Sequence, residues 1–144
     1  MILQIAIAIF LLLESFNVLA LYFNPGNTKA NAMGAFKLWD SSKSDEETHL
    51  LLTYMANWVA GTKLIFIFLM IVILTFGNET ILFYGLIALI LAILTYFWKL
   101  APLMNEMDSK GMLQPDGYSK TLSIMISTFV IVLSLAGIID YFAL

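Results

Sequence analysis

The chain has no cysteine. That excludes disulfides, thiolate metal sites, lipoprotein attachment and palmitoylation. It has no arginine either: all seven basic residues are lysines. Arginine dominates bidentate phosphate recognition, so its absence weighs against a phosphate-reading site, and nothing here points to a nucleic-acid partner. A single histidine, His49, cannot build a multi-histidine haem or zinc centre. No cofactor and no metal are expected, although carboxylate metal sites stay open on paper. Charge of either sign is scarce, at 12% of residues against about 25% in a soluble domain.

What is present is apolar surface. Hydrophobic residues make up 61% of the 144, most of them in four long runs. The expectation is an all-α integral membrane protein: one four-transmembrane-helix bundle over residues 1–144, with short amphipathic cytoplasmic segments and the lipid bilayer as its first partner. The spans fall at about 2–23, 50–76, 80–101 and 120–142. The first holds roughly 22 residues, which at ~1.5 Å each reach ~33 Å, enough for the hydrocarbon core. No lysine precedes it and Glu14 interrupts it, so it reads as a retained span rather than a signal peptide.

Punctuation between the runs is clear. Asn24-Pro25-Gly26 stops the first span. Across residues 27–44, Ala30, Met33, Phe36, Leu38 and Trp39 suit a short helix on the membrane surface with Lys29 and Lys37 toward headgroups. An ordinary loop with a few apolar contacts reads equally well. Ser44 followed by Glu47 has capping-box spacing, which starts the second helix near Asp45 and brings it into the membrane at Leu50. Gly77-Asn78 makes a turn, with Asn78 as the next cap. Pro102 kinks or ends the third span; Leu103, Met104 and Met107 allow an amphipathic extension to about Lys110, ended by Gly111. Gln114-Pro115-Asp116-Gly117 is a turn signature and Ser119 is placed to cap the fourth span.

Lysine placement orients the chain. Lys29, Lys37, Lys43, Lys99, Lys110 and Lys120 lie in or beside the two long loops, and none lies on the other side. By the positive-inside rule both long loops are cytoplasmic and both termini outside, with a plasma membrane the expected location. Trp39, Tyr96, Trp98 and Tyr118 then suit an inner aromatic belt, and Tyr84, Tyr141 and Phe142 an outer one.

The seventh lysine is the odd one. Lys63 lies deep in the second span, with Asn57, and Glu14 and Asn17 lie in the first. Intramembrane charge is costly and demands partners. Counted from the loop ends, Glu14 sits ~15 Å deep and Lys63 ~21 Å, and each leans toward its own helix N-terminus. The two therefore converge, and a Glu14–Lys63 ion pair is predicted. Asn17 is one turn from Glu14. His49, Thr53, Ala56, Ala60 and Lys63 share one stripe, flanked by Asn57, and Thr53, Ala56 and Ala60 make a small-residue face for close helix packing. Gln4 and Asp140 sit near the outer ends; if they line a vestibule, the first and last spans must meet there.

Two function classes lead. In the first, Glu14, Asn17, Asn57 and Lys63 line a path for a proton, ion or small solute in a channel or carrier, with a homo-oligomer, or a single bundle with a shallow site, as the working unit. In the second, the protein is a structural or accessory subunit of a larger membrane complex, the polar residues serve packing, and the small-residue face docks a membrane-protein partner. An intramembrane enzyme is the third class, but no paired acids, nucleophile–histidine arrangement or metal cluster supports it. Met104, Met107 and Met112 carry thioethers of the kind that bind Cu(I), yet without Cys or His nearby they read as apolar filler.

Overall fold

A computed structural model describes residues 1–28 and 31–142. The elements are α1 (Ile2–Phe23), a 3₁₀ turn (Met33–Ala35), α2 (Lys37–Ser42), α3 (Glu46–Phe76), α4 (Glu79–Ser109) and α5 (Tyr118–Phe142). α1, α3, α4 and α5 are each long and apolar enough to cross a membrane. Their outward faces are as apolar as their inward ones: on α1, Ile5, Ile9, Leu12, Phe16 and Leu19 are exposed while Leu3, Ile7, Phe10, Leu11, Val18 and Leu21 are buried. A helix hydrophobic all round belongs in lipid.

α1 is the hub. It packs on α3 and on α5; α5 packs on α4; α3 and α4, though joined by the turn at Gly77-Asn78, touch far less. Toward the chain termini the four helices share one core. There Phe10 of α1 meets Phe66 of α3 and Phe129 of α5 edge-on, with ring centroids 6.3 and 5.4 Å apart. Gly137 lets α4 close on α5, since a Cβ there would collide with Leu86. Toward the loops the core divides. One cluster continues between α1 and α3 through Val18, Leu21, Ala56 and Ala60. The other joins α4, α5 and the α4–α5 loop through Tyr96, Met104, Leu113 and Leu122.

The two long loops rejoin these halves. Phe36 and Leu113 form an isolated antiparallel bridge, with Lys37 N donating to Met112 O (3.0 Å) and Gln114 N to Ala35 O (2.9 Å). Lys37 Nζ adds a bond to Gly111 O at 2.8 Å, and Gln114 Nε2 one to Gly34 O at 2.8 Å. Leu113 is fully buried beneath them. Trp39 is tucked under Gly26, where a Cβ would come within 2.9 Å of its indole nitrogen.

Several local expectations are corrected. The Ser44–Glu47 capping box does not form. Asp45 is the N-cap of α3, Ser44 Oγ donates back to Ser41 O at 2.8 Å, and Asp45 accepts from Thr48. The chain leaving α2 is still turning at Ser44 and becomes extended only at Asp45. Nor is Ser119 a cap, because it lies inside α5. Its N–H (3.1 Å) and hydroxyl (2.6 Å) donate to Asp108, which also takes the Gly117 N–H at 3.1 Å. The extension past Pro102 does form: α4 runs to Ser109 before Gly111 turns the chain at φ +66°. Asn78 does cap α4, accepting from Ile81 N at 2.9 Å. Trp39 and Tyr96 are buried rather than part of a surface belt, whereas Trp98, Tyr84, Tyr141 and Phe142 are exposed. The surface segment shortens to α2, with Leu38 and Lys37 outward; Lys29 and Ala30 lie outside the described residues. On α2, Lys43 Nζ bonds Asp40 Oδ1 at 2.7 Å and holds that carboxyl below its usual range.

Leu113→Ala removes the buried centre of the loop junction. It should cost about 2–5 kcal/mol of stability, as large-to-small core changes do, read as a lowered unfolding midpoint in detergent micelles. An unchanged midpoint would mean that the junction contributes nothing to stability.

Candidate functional site

The buried stripe of α1 runs Leu3, Ile7, Phe10, Leu11, Val18 and Leu21, and helical periodicity sets Glu14 on the same face. On α3, Ala56, Ala60, Ile67 and Met70 are buried, and the same periodicity sets Lys63 among them. With Ala56 at 2% and Ala60 at 0% exposure, α1 and α3 approach closely, as small side chains allow. Two long polar side chains then meet across the contact. Lys63 Nζ donates to Glu14 Oε2 at 2.6 Å, and Asn17 Nδ2 to Glu14 Oε1 at 3.3 Å. Each carboxylate oxygen thus has a donor. The side chains of Lys63 and Glu14 keep 26% and 18% exposure, so the pair is neither sealed nor freely solvated.

In α1, Glu14 follows Phe10 and Leu11 of the shared core; in α4 the two clusters part between Ile93 and Tyr96, and in α5 between Phe129 and Ile126. By helix rise the ion pair lies near the level at which α4 and α5 pass from one cluster to the other, while along α1 and α3 the shared cluster continues past it. Asn17 also lines a crevice of about 430 Å³ between α1 and α5, with Asn31, Tyr118 and Thr121 as its other polar lining and Phe16 and Phe129 among its apolar walls. Tyr118 donates to Asn31 Oδ1 at 3.3 Å across the loop end of that crevice.

Asn57 does not join the group. It is exposed, and its side chain makes no hydrogen bond among the described residues. The reason is rotation: with Ala56, Ala60 and Lys63 turned to α1, the residue after Ala56 is swung ~100° away. Thr53 is half-buried on the packing stripe, but its hydroxyl bonds His49 O within its own helix at 2.8 Å and offers α1 nothing polar. Gln4 and Asp140 do line a common pocket of about 720 Å³ at the terminal end, where α1 and α5 are adjacent. Asp140 is engaged there by the Met1 ammonium at 2.9 Å and by the N–H groups of Ile2 and Leu3 at 3.1 and 3.3 Å. It acts as a cap for α1.

Two associations are invisible in the sequence pattern. Ser42 Oγ lies 2.9 Å from His49 Nδ1, beneath the Trp39 ring. Residues seven apart across a helix break have no fixed relation, so no spacing rule finds them. The arrangement resembles a nucleophile and base but is not one. Ser42 is 2% exposed and its hydroxyl donates to Trp39 O at 2.8 Å, which leaves His49 as the donor in the Ser42–His49 bond. Tyr96 and Ser123 join α4 to α5 at 3.2 Å. Met104 and Met107 belong to the apolar cluster near the loops.

Comparison of the chain with protein-family models, curated proteins and solved structures gives no match. The site must be judged on its own chemistry. In an apolar setting an isolated charge costs far more than a paired one, so removing one partner is worse than removing both. Glu14→Gln or Lys63→Met alone should lose about 3–5 kcal/mol, and the double variant less than either single. Unfolding midpoints of the four proteins in one detergent measure this; additive losses would show that the two side chains act independently.

Proposed function

We propose that the protein is a small channel or carrier that moves a proton, ion or small solute through the polar group formed by Glu14, Lys63 and Asn17 between α1 and α3. One observation supports this above the rest: an ion pair stands inside an apolar bundle near the level where the core divides, with Asn17 bonded to it and also facing a crevice. Ionisable groups at such depth are expensive and tend to mark pathways. In the working cycle Glu14 exchanges partners. In one state its Oε2 holds Lys63; in the other a proton or small cation neutralises the carboxylate and the Lys63 ammonium is released to an anion or to water. Asn17 stays on Oε1 in both states and keeps the carboxylate aimed at α3.

In this reading the molecule sits in a cytoplasmic membrane with the loop junction inside and both termini outside, as the lysine bias implies. The alternative, an accessory subunit in a larger complex, is favoured by one feature: both oxygens of Glu14 already have donors, as a purely architectural pair requires.

Proteoliposomes loaded with a pH-sensitive dye and screened with a panel of small ions separate the two. Wild type should dissipate an imposed gradient, Glu14→Gln should do so at least about tenfold more slowly, and Thr128→Val on the exposed face of α5 should match wild type. Equal flux in Glu14→Gln would sink the transport reading, and a stable partner retained through native purification would favour the accessory one. Orientation is tested separately in this cysteine-free chain. Asn78→Cys should react with an impermeant maleimide in intact cells and Ser109→Cys only after permeabilisation; the reverse pattern would invert the topology.

A further inference from the structure

The cavity of about 720 Å³ at the terminal end lies between the first turns of α1 and α4 and the last turns of α5. Its size is that of a small-molecule pocket, for which roughly 300–1,000 Å³ is ordinary. Buried Leu3 and Leu82 give it apolar lining. Three aromatic rings add to this: Tyr84, and the pair Phe83 and Tyr141 with centroids 5.6 Å apart. Neither Glu14 nor Lys63 lines it.

Its polar groups divide into engaged and free. Asp140 uses both oxygens on the start of α1, taking the Met1 ammonium and the N–H groups of Ile2 and Leu3. The carboxylate of Asp140 and the ammonium of Met1 thus offset each other. Glu79 is exposed in the first turn of α4, and its carboxylate has no hydrogen bond or ion pair among the described residues. The same holds for the hydroxyls of Tyr84 and Tyr141 and for the Gln4 amide. No lysine lines the cavity. One carboxylate is therefore left unanswered beside apolar and aromatic walls.

We propose that this cavity binds an organic ammonium ion, with the charged nitrogen against Glu79 and the carbon body against Leu3, Leu82 and the aromatic rings. The lining selects that class step by step. An anion would meet Glu79 and Asp140 with no lysine to receive it. A neutral molecule would cover the Glu79 carboxylate without pairing it, which is costly. A small inorganic cation needs several oxygens closing on it at once, and among the described residues no group of three acids or histidines can hold one. An alkylammonium asks for one carboxylate, aromatic rings that attract positive charge, and apolar surface for its carbons. Two sources carry that chemistry: a free amine, or the ethanolamine headgroup of a phospholipid. The site does not rest on the transport reading.

The test titrates benzyltrimethylammonium into the protein in maltoside micelles. In parallel, native mass spectrometry follows retention of phosphatidylethanolamine against phosphatidylglycerol of matched chains. Heat from the amine marks a free ammonium ligand, and preferential retention of phosphatidylethanolamine marks a lipid headgroup; either supports the proposal. Glu79→Gln should weaken the binding seen by at least about tenfold, as loss of a charged partner does. Glu79→Asp should keep most of it. Tyr141→Leu should cost about two- to fivefold, the worth of one cation–ring contact. Asp116→Asn, an exposed acid in the α4–α5 loop, should match wild type. Unfolding midpoints without ligand check that each variant folds; should Glu79→Gln fail there, Glu79→Asp and Tyr141→Leu carry the test. Binding of neither probe, preference for phosphatidylglycerol, or a folded Glu79→Gln variant that binds like wild type would each overturn the inference.

Discussion

A carboxylate and an ammonium 2.6 Å apart between two apolar helices leave α1 and α3 little freedom. Sliding or rotating either helix by one residue would strand a charge among leucines and phenylalanines, at a cost of several kcal/mol. The small residues Ala56 and Ala60 bring the backbones together, but small apolar contacts tolerate slippage and a charge pair does not. The register so set carries outward. It aims Phe10 at Phe66 and Phe129, it makes α1 the helix on which both α3 and α5 pack, and it turns Asn57 out of the bundle.

The same demand for partners explains acids that look misplaced. Asp108 lies in the last turn of α4 and Asp140 in the last turn of α5, where the helix dipole disfavours negative charge. Each is used by the next helix instead. Asp108 takes the first free N–H groups of α5 and Asp140 those of α1. A carboxylate that opposes its own dipole complements a neighbour's, and the bundle is tied at both ends by helices that cap one another.

Between those ties the packing is uneven. A shared core near the termini gives way to two separate clusters near the loops, with the loop junction of Phe36 and Leu113 closing the divided end. The polar group stands near the level where the division begins.

Hydropathy alone determined that the chain is helical and that it has four membrane-length helices, because burial in lipid requires long uninterrupted apolar helices with every backbone group satisfied. Side-chain lean and helix rise were enough to set Glu14 and Lys63 at one depth. What tertiary structure decided was everything that depends on rotation and on which helices are neighbours. Asn57 shares a depth range with the pair but not a face. Trp39 and Tyr96 turned inward, and the caps of α1 and α5 came from aspartates on other helices. A span hydrophobic on every side carries only a weak signal of which side faces protein, since lipid and core accept the same residues. Only contacts between helices resolve it.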